Sequence, residues 1–119
     1  MIKSFRELRV WQQGMELVEE VYRLTERFPG HEVYGLTSQM RRSAVSIPSN
    51  IAEGHVREHI KEYLNHLSMA QASLAEIETQ IEIAVRLKYV PQEPSKVMLE
   101  KSTSLGKQPH ALRKALKDR

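Results

Sequence analysis

The chain has 119 residues, which is enough for one domain and too few for two of ordinary size. It contains no cysteine, which excludes disulfide bonds and zinc sites built from thiolates. The formal net charge is only +3. The N-terminal residues are charged from the third position and lack an apolar core, so we expect no signal peptide, and no apolar stretch is long enough to span a membrane. We therefore expect a single domain over residues 1–119, located in the cytoplasm and without a membrane partner.

The first predicted element is an amphipathic helix from about Ser4 to Phe28. Apolar and small residues recur along it at spacings of three and four, which is the pattern of one buried helix face. They are Leu8, Trp11, Met15, Val18, Tyr22 and Thr25. Ser4 followed by Glu7 resembles a capping box at the start, and the pair Pro29–Gly30 ends the helix.

The second predicted helix starts near Gly35 and contains a proline at position 48. An apolar line along it consists of Met40, Ala44, Ile47 and Ile51. Pro48 removes one backbone donor and its ring clashes with the carbonyl four residues back, so we predict a kink there. Gly54 is expected to end the helix or to bend it sharply.

A second line of residues on this helix, which we call the polar line, follows the same spacing. Its members are Gln39, Arg42, Ser43, Ser46, Asn50, Glu53 and Arg57. Either this line faces water, or it is buried between subunits and satisfied by hydrogen bonds. In the second case the serines and alanines nearby permit close helix approach, and Asn50 and Glu53 fix the register.

The third predicted helix, from about Arg57 to Lys88, has the clearest periodicity. One unbroken heptad seam consists of Tyr63, Leu67, Ala70, Leu74, Ile77, Ile81 and Ala84. A second apolar set lies off this seam and consists of Ile60, Leu64, Ile83 and Leu87. The seam predicts packing against neighbouring helices, and the second set indicates more apolar surface than one neighbour covers.

The fourth predicted helix, from about Pro94 to Leu116, has the weakest pattern, and Gly106 and Pro109 predict a kink or a break in it. With no strand-like runs and only short turns between segments, the sequence predicts an all-α fold. Specifically, it predicts an antiparallel up-down-up-down four-helix bundle.

Two kinds of chemistry can be weighed from the residue types. His55, His59, Glu62 and His66 would share one face of a continuous helix, but one straight helix supplies too few converging ligands, and no Glu-x-x-His motif accompanies them. A solvated histidine-rich face is the favoured interpretation, and we expect no metal or other cofactor. The chain also has no Gly-x-Ser-x-Gly motif and no phosphate-binding loop, so we expect a protein that is not an enzyme.

Basic residues are concentrated at the C-terminal end. Between Lys101 and Arg119 there are six lysines and arginines and one acidic residue. The candidates for contacts with nucleic-acid phosphates are Lys107, Arg113, Lys114 and Lys117. An ordinary solvated surface is the equally weighted alternative. For the pair Arg41–Arg42 we favour ordinary solvation, or pairing with Glu53 and the acidic third helix, over contacts with phosphates.

The most distinctive segments are "FPGHEVYGLTSQMRRSAVSIPSNIAEG", residues 28–54, and "SLAEIETQ", residues 73–80. Together with the flanking residues from Phe5 to Val90, they resemble the bacterial four-helix-bundle proteins first noticed as reading frames inside intervening sequences of 23S ribosomal RNA genes. The accessory variability determinant of diversity-generating retroelements is similar. The fourth helix matches this pattern poorly.

The resemblance implies a left-handed antiparallel bundle that forms a homopentamer, with the second and third helices near the subunit contacts. The retroelement relatives bind a reverse transcriptase and nucleic acid through basic surfaces. The leading hypothesis is therefore a non-catalytic, ring-forming accessory factor that binds RNA or DNA. The alternative is a purely structural or protein-docking homo-oligomer, with another protein as its partner and no role in nucleic-acid binding.

Overall fold

The computed structural model describes residues 4–117, except for the side chains at positions 94, 98, 103, 108 and 109. Four α-helices lie within that range, and we number them in chain order: α1 Arg9–Thr25, α2 Leu36–His55, α3 Ile60–Arg86 and α4 Gln92–Lys117. Short 3-10 turns precede α1 at Phe5–Glu7 and α2 at Gly30–Glu32. No strand occurs among the described residues, and the all-α prediction is confirmed.

The helices follow one another around the molecule in chain order. Each helix contacts the next in sequence, and α4 also contacts α1. Residues 56–59 connect α2 to α3, and residues 87–91 connect α3 to α4. Connections this short place successive helices side by side with opposite directions. The arrangement is compatible with the predicted four-helix bundle, and its dimensions are 46 × 24 × 20 Å.

The apolar lines predicted on α2 and α3 form the core. The line predicted on α1 is wrong in part, because Met15 and Tyr22 are exposed. The buried apolar residues of α1 are Val10, Leu17, Val21 and Leu24. On α2, Met40, Ala44, Ile47 and Ile51 are fully buried. On α3 the seam is buried from Leu67 to Ala84, and Tyr63 is half-buried beside it. A face of period 3.6 that is buried along its whole length is what holds marginal helices in place, because packing contributes more than intrinsic propensity.

The first helix begins later than the sequence predicts. Ser4 and Glu7 do form a capping box, in which the Ser4 side chain accepts from the backbone of Arg6 and Glu7 bonds back to the Ser4 backbone. The box closes the 3-10 turn, and an extended Leu8 separates it from α1. The predicted capping box is therefore confirmed, but it caps the 3-10 turn and not α1.

Pro48 lies inside α2 and is buried against α1. The α-helix assignment is continuous on both sides of it, and the kink stays a prediction. Gly14 of α1 faces this position. A methyl group on Gly14 would meet Ile47 and Pro48 at 3.5 Å, an ordinary contact distance.

Gly54 has a different role from the one expected. The helix continues to His55 and is capped by Val56 in a helical conformation, so no left-handed glycine ends it. A Cβ atom on Gly54 would lie 2.8 Å from the Cβ atom of His66 and 2.9 Å from Cδ1 of Tyr63. The missing side chain lets α2 and α3 approach closely.

The break expected in the fourth helix is absent. The α4 backbone is helical without interruption through Gly106 and Pro109. Gly106 faces α3, where an added Cβ would lie 3.7 Å from Cδ1 of Leu74. Leu105 and Leu116 are buried in the same core, and this packing offsets the cost of a helical glycine and proline.

Within residues 4–117, none of the helices has the length and apolar composition needed to cross a bilayer.

Candidate nucleic-acid and assembly surfaces

The inner part of the polar line lies in a groove between α2 and α3. Ser43 is buried, and Ser46 and Asn50 are half-buried. Asn50 Nδ2 donates to the Ser46 carbonyl oxygen at 2.9 Å, and Asn50 Oδ1 lies 3.0 Å from His66 Nδ1 on α3. The hydroxyl groups of Ser46 and Ser73 also bond across the groove. These side chains therefore join two helices within the same chain, an arrangement that neither interpretation of the sequence had included.

Gln80 of α3 is buried and lines the same groove. Its Nε2 donates to the Ser43 hydroxyl at 3.3 Å, and the same hydroxyl lies 3.2 Å from Oε2 of Glu76. Oε1 of Gln80 is buried and has no hydrogen-bond partner among the described residues. A buried acceptor without a partner costs about 1–3 kcal/mol, so the groove is favourable for an added donor.

The outer members of the polar line remain exposed. Arg42 donates to the Ser38 hydroxyl at 3.3 Å, and Arg57 lies beyond the end of α2. The Glu53 side chain is 59% exposed, with its carboxylate 3.8 Å from His66 Nδ1. Within one subunit, these three residues form a solvated rim rather than a buried network.

Exposed apolar residues lie on the same face of α3 as the groove. At about 100° per residue, Met69, Glu76, Gln80, Ile83 and Leu87 fall on one side of the helix. The exposed fractions are 46% for Met69, 40% for Ile83 and 51% for Leu87. We call this surface, with the polar line opposite it, the α2–α3 face. It combines uncovered apolar side chains with an open groove of about 590 Å³.

The basic residues of α4 divide into two groups. Lys107, Lys114 and Lys117 are exposed, and none pairs with a carboxylate of the described residues. Their spacing, together with exposed His110, places them within about 80° of the helix circumference and along about 15 Å of its length. We call Lys107, His110, Lys114 and Lys117 the basic stripe. Lys101, by contrast, already pairs with Glu20 of α1 at 2.6 Å.

The side chain of Arg113 contacts α3 and is only partly exposed to solvent. It is half-buried, and its Nη1 donates to Oε1 of Gln71 at 2.6 Å. Its Nε is buried and has no hydrogen-bond partner among the described residues. Of the four predicted phosphate-binding residues, Arg113 is thus the one whose side chain is hydrogen-bonded to another described residue.

The predicted histidine face is divided between two helices. His55 ends α2 and packs edge-on against the Tyr63 ring, His59 precedes α3, and His66 bonds to Asn50. Among the described residues, no group of three histidines or acidic residues lies close enough to hold a metal ion. The three histidines would share one face only if the helix were continuous, and the connection at residues 56–59 interrupts it.

The pair Arg41–Arg42 forms no ion pair with Glu53, which was one of the partners expected, and Arg42 is exposed as expected for a solvated side chain. Arg41 packs against α1: its guanidinium carbon lies 4.5 Å from the centre of the Tyr22 ring, and its Nε donates to Thr25 Oγ1 at 2.8 Å. Sequence periodicity placed Tyr22 and Thr25 on the buried face of α1; Thr25 is buried, but Tyr22 is 40% exposed. It gave no signal that Arg41 would stack on one and bond to the other.

A polar contact ties the turn before α2 to the end of α3. The Tyr89 hydroxyl donates to Glu32 Oε2 at 2.7 Å, and Glu32 Oε1 accepts from the backbone N–H of Leu36 at 3.1 Å. These hydrogen bonds, the one from Tyr89 first, lower the pKa of Glu32 below its ordinary value. The same hydrogen bond raises the pKa of Tyr89, with burial as a smaller cause.

Comparison with known proteins identifies the family. The sequence matches the 23S rRNA-intervening sequence proteins over residues 6–111, which includes all of α1, α2 and α3 and most of α4. The chain belongs to this family. The resemblance drawn from the sequence is therefore confirmed and extends into α4, which had matched poorly by inspection.

A solved structure of the same kind has a similar fold. It is a protein with unknown function from the S23 ribosomal protein family of Bacteroides thetaiotaomicron. The two sequences are 23% identical, the alignment covers 88% of this chain and 95% of that chain, and the TM-score is 0.81. No curated protein matches significantly. At this identity the structural similarity establishes the fold, and function has to be argued from the surfaces described above.

Proposed function

We propose that this protein is a non-catalytic, ring-forming four-helix-bundle protein that binds RNA or DNA as an accessory factor. The observation that carries the proposal is the basic stripe on α4. Its lysines Lys107, Lys114 and Lys117 are exposed, share one helix face and have no carboxylate partner among the described residues. Ammonium groups in that arrangement are available to replace the counterions of a phosphate backbone.

A homopentamer would strengthen such contacts. Three lysines on one subunit can neutralise only a few phosphates, so a single stripe binds weakly. A ring repeats the stripe, and once one copy is bound the others act at high effective concentration on the same strand. The small net charge of +3 per chain is therefore compatible with useful affinity in an assembly.

The chemistry of the stripe predicts its selectivity. Residues 101–119 contain no phenylalanine, tyrosine or tryptophan, so this segment offers no ring for base stacking. Lysines read charge rather than base identity. Binding through α4 should be tolerant of sequence, should include duplexes as well as single strands, and should weaken steeply with salt.

The test is a titration of labelled single-stranded RNA and duplex DNA over a range of salt concentrations. The variant K107Q/K114Q/K117Q removes the three exposed charges of the stripe and leaves Arg113, which is engaged with Gln71, in place. If the three lysines of one subunit contact phosphates, we expect the slope of log affinity against log salt to fall by roughly 2–3. A ring that engages several stripes would lose more.

The matched control is R9Q/R86Q/K96Q, which removes the same charge from exposed positions elsewhere. It should leave the salt slope close to that of the wild-type protein. Absence of binding at low salt would overturn the proposal. An equal loss in both variants would also overturn it, because it would mean that only net charge matters.

The second candidate is a structural or protein-docking homo-oligomer without nucleic-acid binding. The α2–α3 face supports it, since Met69, Ile83 and Leu87 leave apolar surface uncovered beside a groove containing an unpaired acceptor. Such a surface is typical of a contact with another protein chain. If assembly is found and nucleic acid is not bound, this candidate replaces the first.

A further inference from the structure

We propose that the surface between α1 and the start of α2 is a second nucleic-acid contact, selective for single strands. In it, Arg41 and Arg42 hold a phosphate and the ring of Tyr34 stacks on a base. The inference rests on the proposed function and adds to it a site for which neither the basic stripe nor the α2–α3 face accounts.

Arg41 is held in place before any ligand binds. Its guanidinium lies over the Tyr22 ring, and it donates from Nε to Thr25 Oγ1 at 2.8 Å and from Nη2 to the Tyr22 carbonyl oxygen at 3.4 Å. Nη1 makes no hydrogen bond to a described residue and remains available as a donor. A guanidinium that is already ordered loses little conformational entropy when it binds an anion.

Arg42 supplies a second charge beside it. Its only side-chain partner among the described residues is the neutral Ser38 hydroxyl at 3.3 Å. Both arginines line a small surface pocket of about 300 Å³, and the residues that line it include no aspartate or glutamate. Two guanidinium groups that line one pocket without carboxylate partners attract an anionic group such as a phosphodiester.

The rest of the pocket is suited to more than a phosphate. Its walls include Val33, Val45 and Tyr22, with exposed fractions of 51%, 41% and 40%. A free phosphate has no apolar part to cover these side chains, whereas a nucleotide has a sugar and a base. The pocket volume is at the lower end of the range for ligand sites, roughly 300–1,000 Å³, which fits one nucleotide unit of a longer strand.

Tyr34 offers the stacking surface that α4 lacks. It is 95% exposed, and it directly follows Val33, which lines the pocket. Exposed aromatic rings and arginines without carboxylate partners are the combination that single-strand-binding surfaces use, because every base has a face that can stack. A duplex keeps its bases stacked inside, so Tyr34 should not contribute to duplex binding.

The site does not depend on the amino terminus of α2 as an anion trap. The backbone N–H of Leu36 at that terminus already donates to the Glu32 carboxylate. The attraction therefore comes from the two side-chain charges, and removing one of them should be measurable.

The experiment compares binding of a labelled uridine oligonucleotide with binding of a duplex DNA. Tyr34→Ala should weaken uridine binding by about 5- to 140-fold, which is the loss of one base-stacking contact, and leave duplex binding unchanged. Tyr34→Phe should retain uridine binding. Arg42→Gln should lower the salt slope for the uridine oligonucleotide by about 0.7. Val56→Ala, at another exposed apolar position, is the control.

Ultraviolet cross-linking of the wild-type protein to the uridine oligonucleotide adds a readout without a variant, and the cross-linked peptide should contain Tyr34. Unchanged uridine binding in Tyr34→Ala, while K107Q/K114Q/K117Q abolishes it, would overturn this inference alone. Absence of any binding by the wild-type protein would overturn the proposed function as well. Arg42-dependent binding of a labelled polyglutamate peptide, with no uridine binding, would assign the pocket to an acidic protein partner instead.

Discussion

Single residues in this protein act mainly by setting how closely elements approach. Gly14 lies in the interior of α1, where glycine costs about 0.5–1 kcal/mol relative to alanine, and Gly54 is the second-last residue of α2. Their surroundings differ: a Cβ on Gly54 would lie 2.8 Å from His66, and one on Gly14 would be no closer than 3.5 Å to its neighbours. Only at Gly54 does the absence of a side chain permit the observed packing.

Gly54→Ala should therefore destabilise the protein by about 1–3 kcal/mol, since the added methyl forces α2 and α3 apart. Gly14→Ala is the matched control. It should be neutral or stabilising, because its methyl enters ordinary contact and alanine favours the helix. Urea denaturation measures both free energies of unfolding. Equal values for the two variants would contradict the close-approach explanation.

The hydrogen bond from Tyr89 to Glu32 makes stability depend on pH in a defined direction. The pKa of Glu32 is lowered, so its stabilising contribution is present above the ordinary range of a glutamate and is lost as pH falls through the folded-state pKa. The pKa of Tyr89 is raised, so its contribution is lost as pH rises through that raised value.

Tyr89→Phe should consequently lower the urea midpoint at neutral pH, and its difference from the wild-type protein should shrink in acid. The carboxyl resonance of Glu32, followed by NMR, should titrate at higher pH in the variant. Tyr34→Phe, which alters a 95% exposed tyrosine, is the control and should change neither quantity. A difference in midpoint that is independent of pH would rule out this account of the contact.

At the scale of elements, the sequence predicted what periodicity determines. The core seam of α3 and the apolar line of α2 could be identified because a face buried along several turns imposes a repeat of 3.6 residues. The sequence also identified Ile83 and Leu87 as lying off the seam, and the structure leaves both exposed.

Periodicity does not show which side chains bond to one another, nor where packing outweighs the local preference of glycine and proline for a break. Glycine and proline favour a break in α4, and burial of Leu105 and Leu116 against neighbouring helices outweighs that preference. Likewise, the polar line was recognised, but its spacing alone could not show that Asn50 bonds to His66 and Ser46 to Ser73 within one subunit. The polar contacts depend on α3 being the neighbour of α2 and on the close approach of the two helices at Gly54.

At the scale of the whole molecule, the α2–α3 face of the single chain is uncovered. Apolar side chains remain in water there, and Oε1 of Gln80 lacks a donor among the described residues. Covering this face would remove apolar surface from water and supply a partner for that oxygen. The assembly proposed above would therefore relieve both of these costs.

We expect light scattering coupled to gel filtration to give a mass about five times that of the 13.8 kDa chain. The double variant I83K/L87K should reduce this mass, because two buried lysines without partners disfavour the interface. Its helical content should persist, since both positions are exposed in the subunit. Val97→Lys alters an exposed apolar residue of α4 and should leave the mass unchanged. A wild-type protein that is monomeric at micromolar concentration would exclude the ring, and the basic stripe would then have to bind nucleic acid without multivalency.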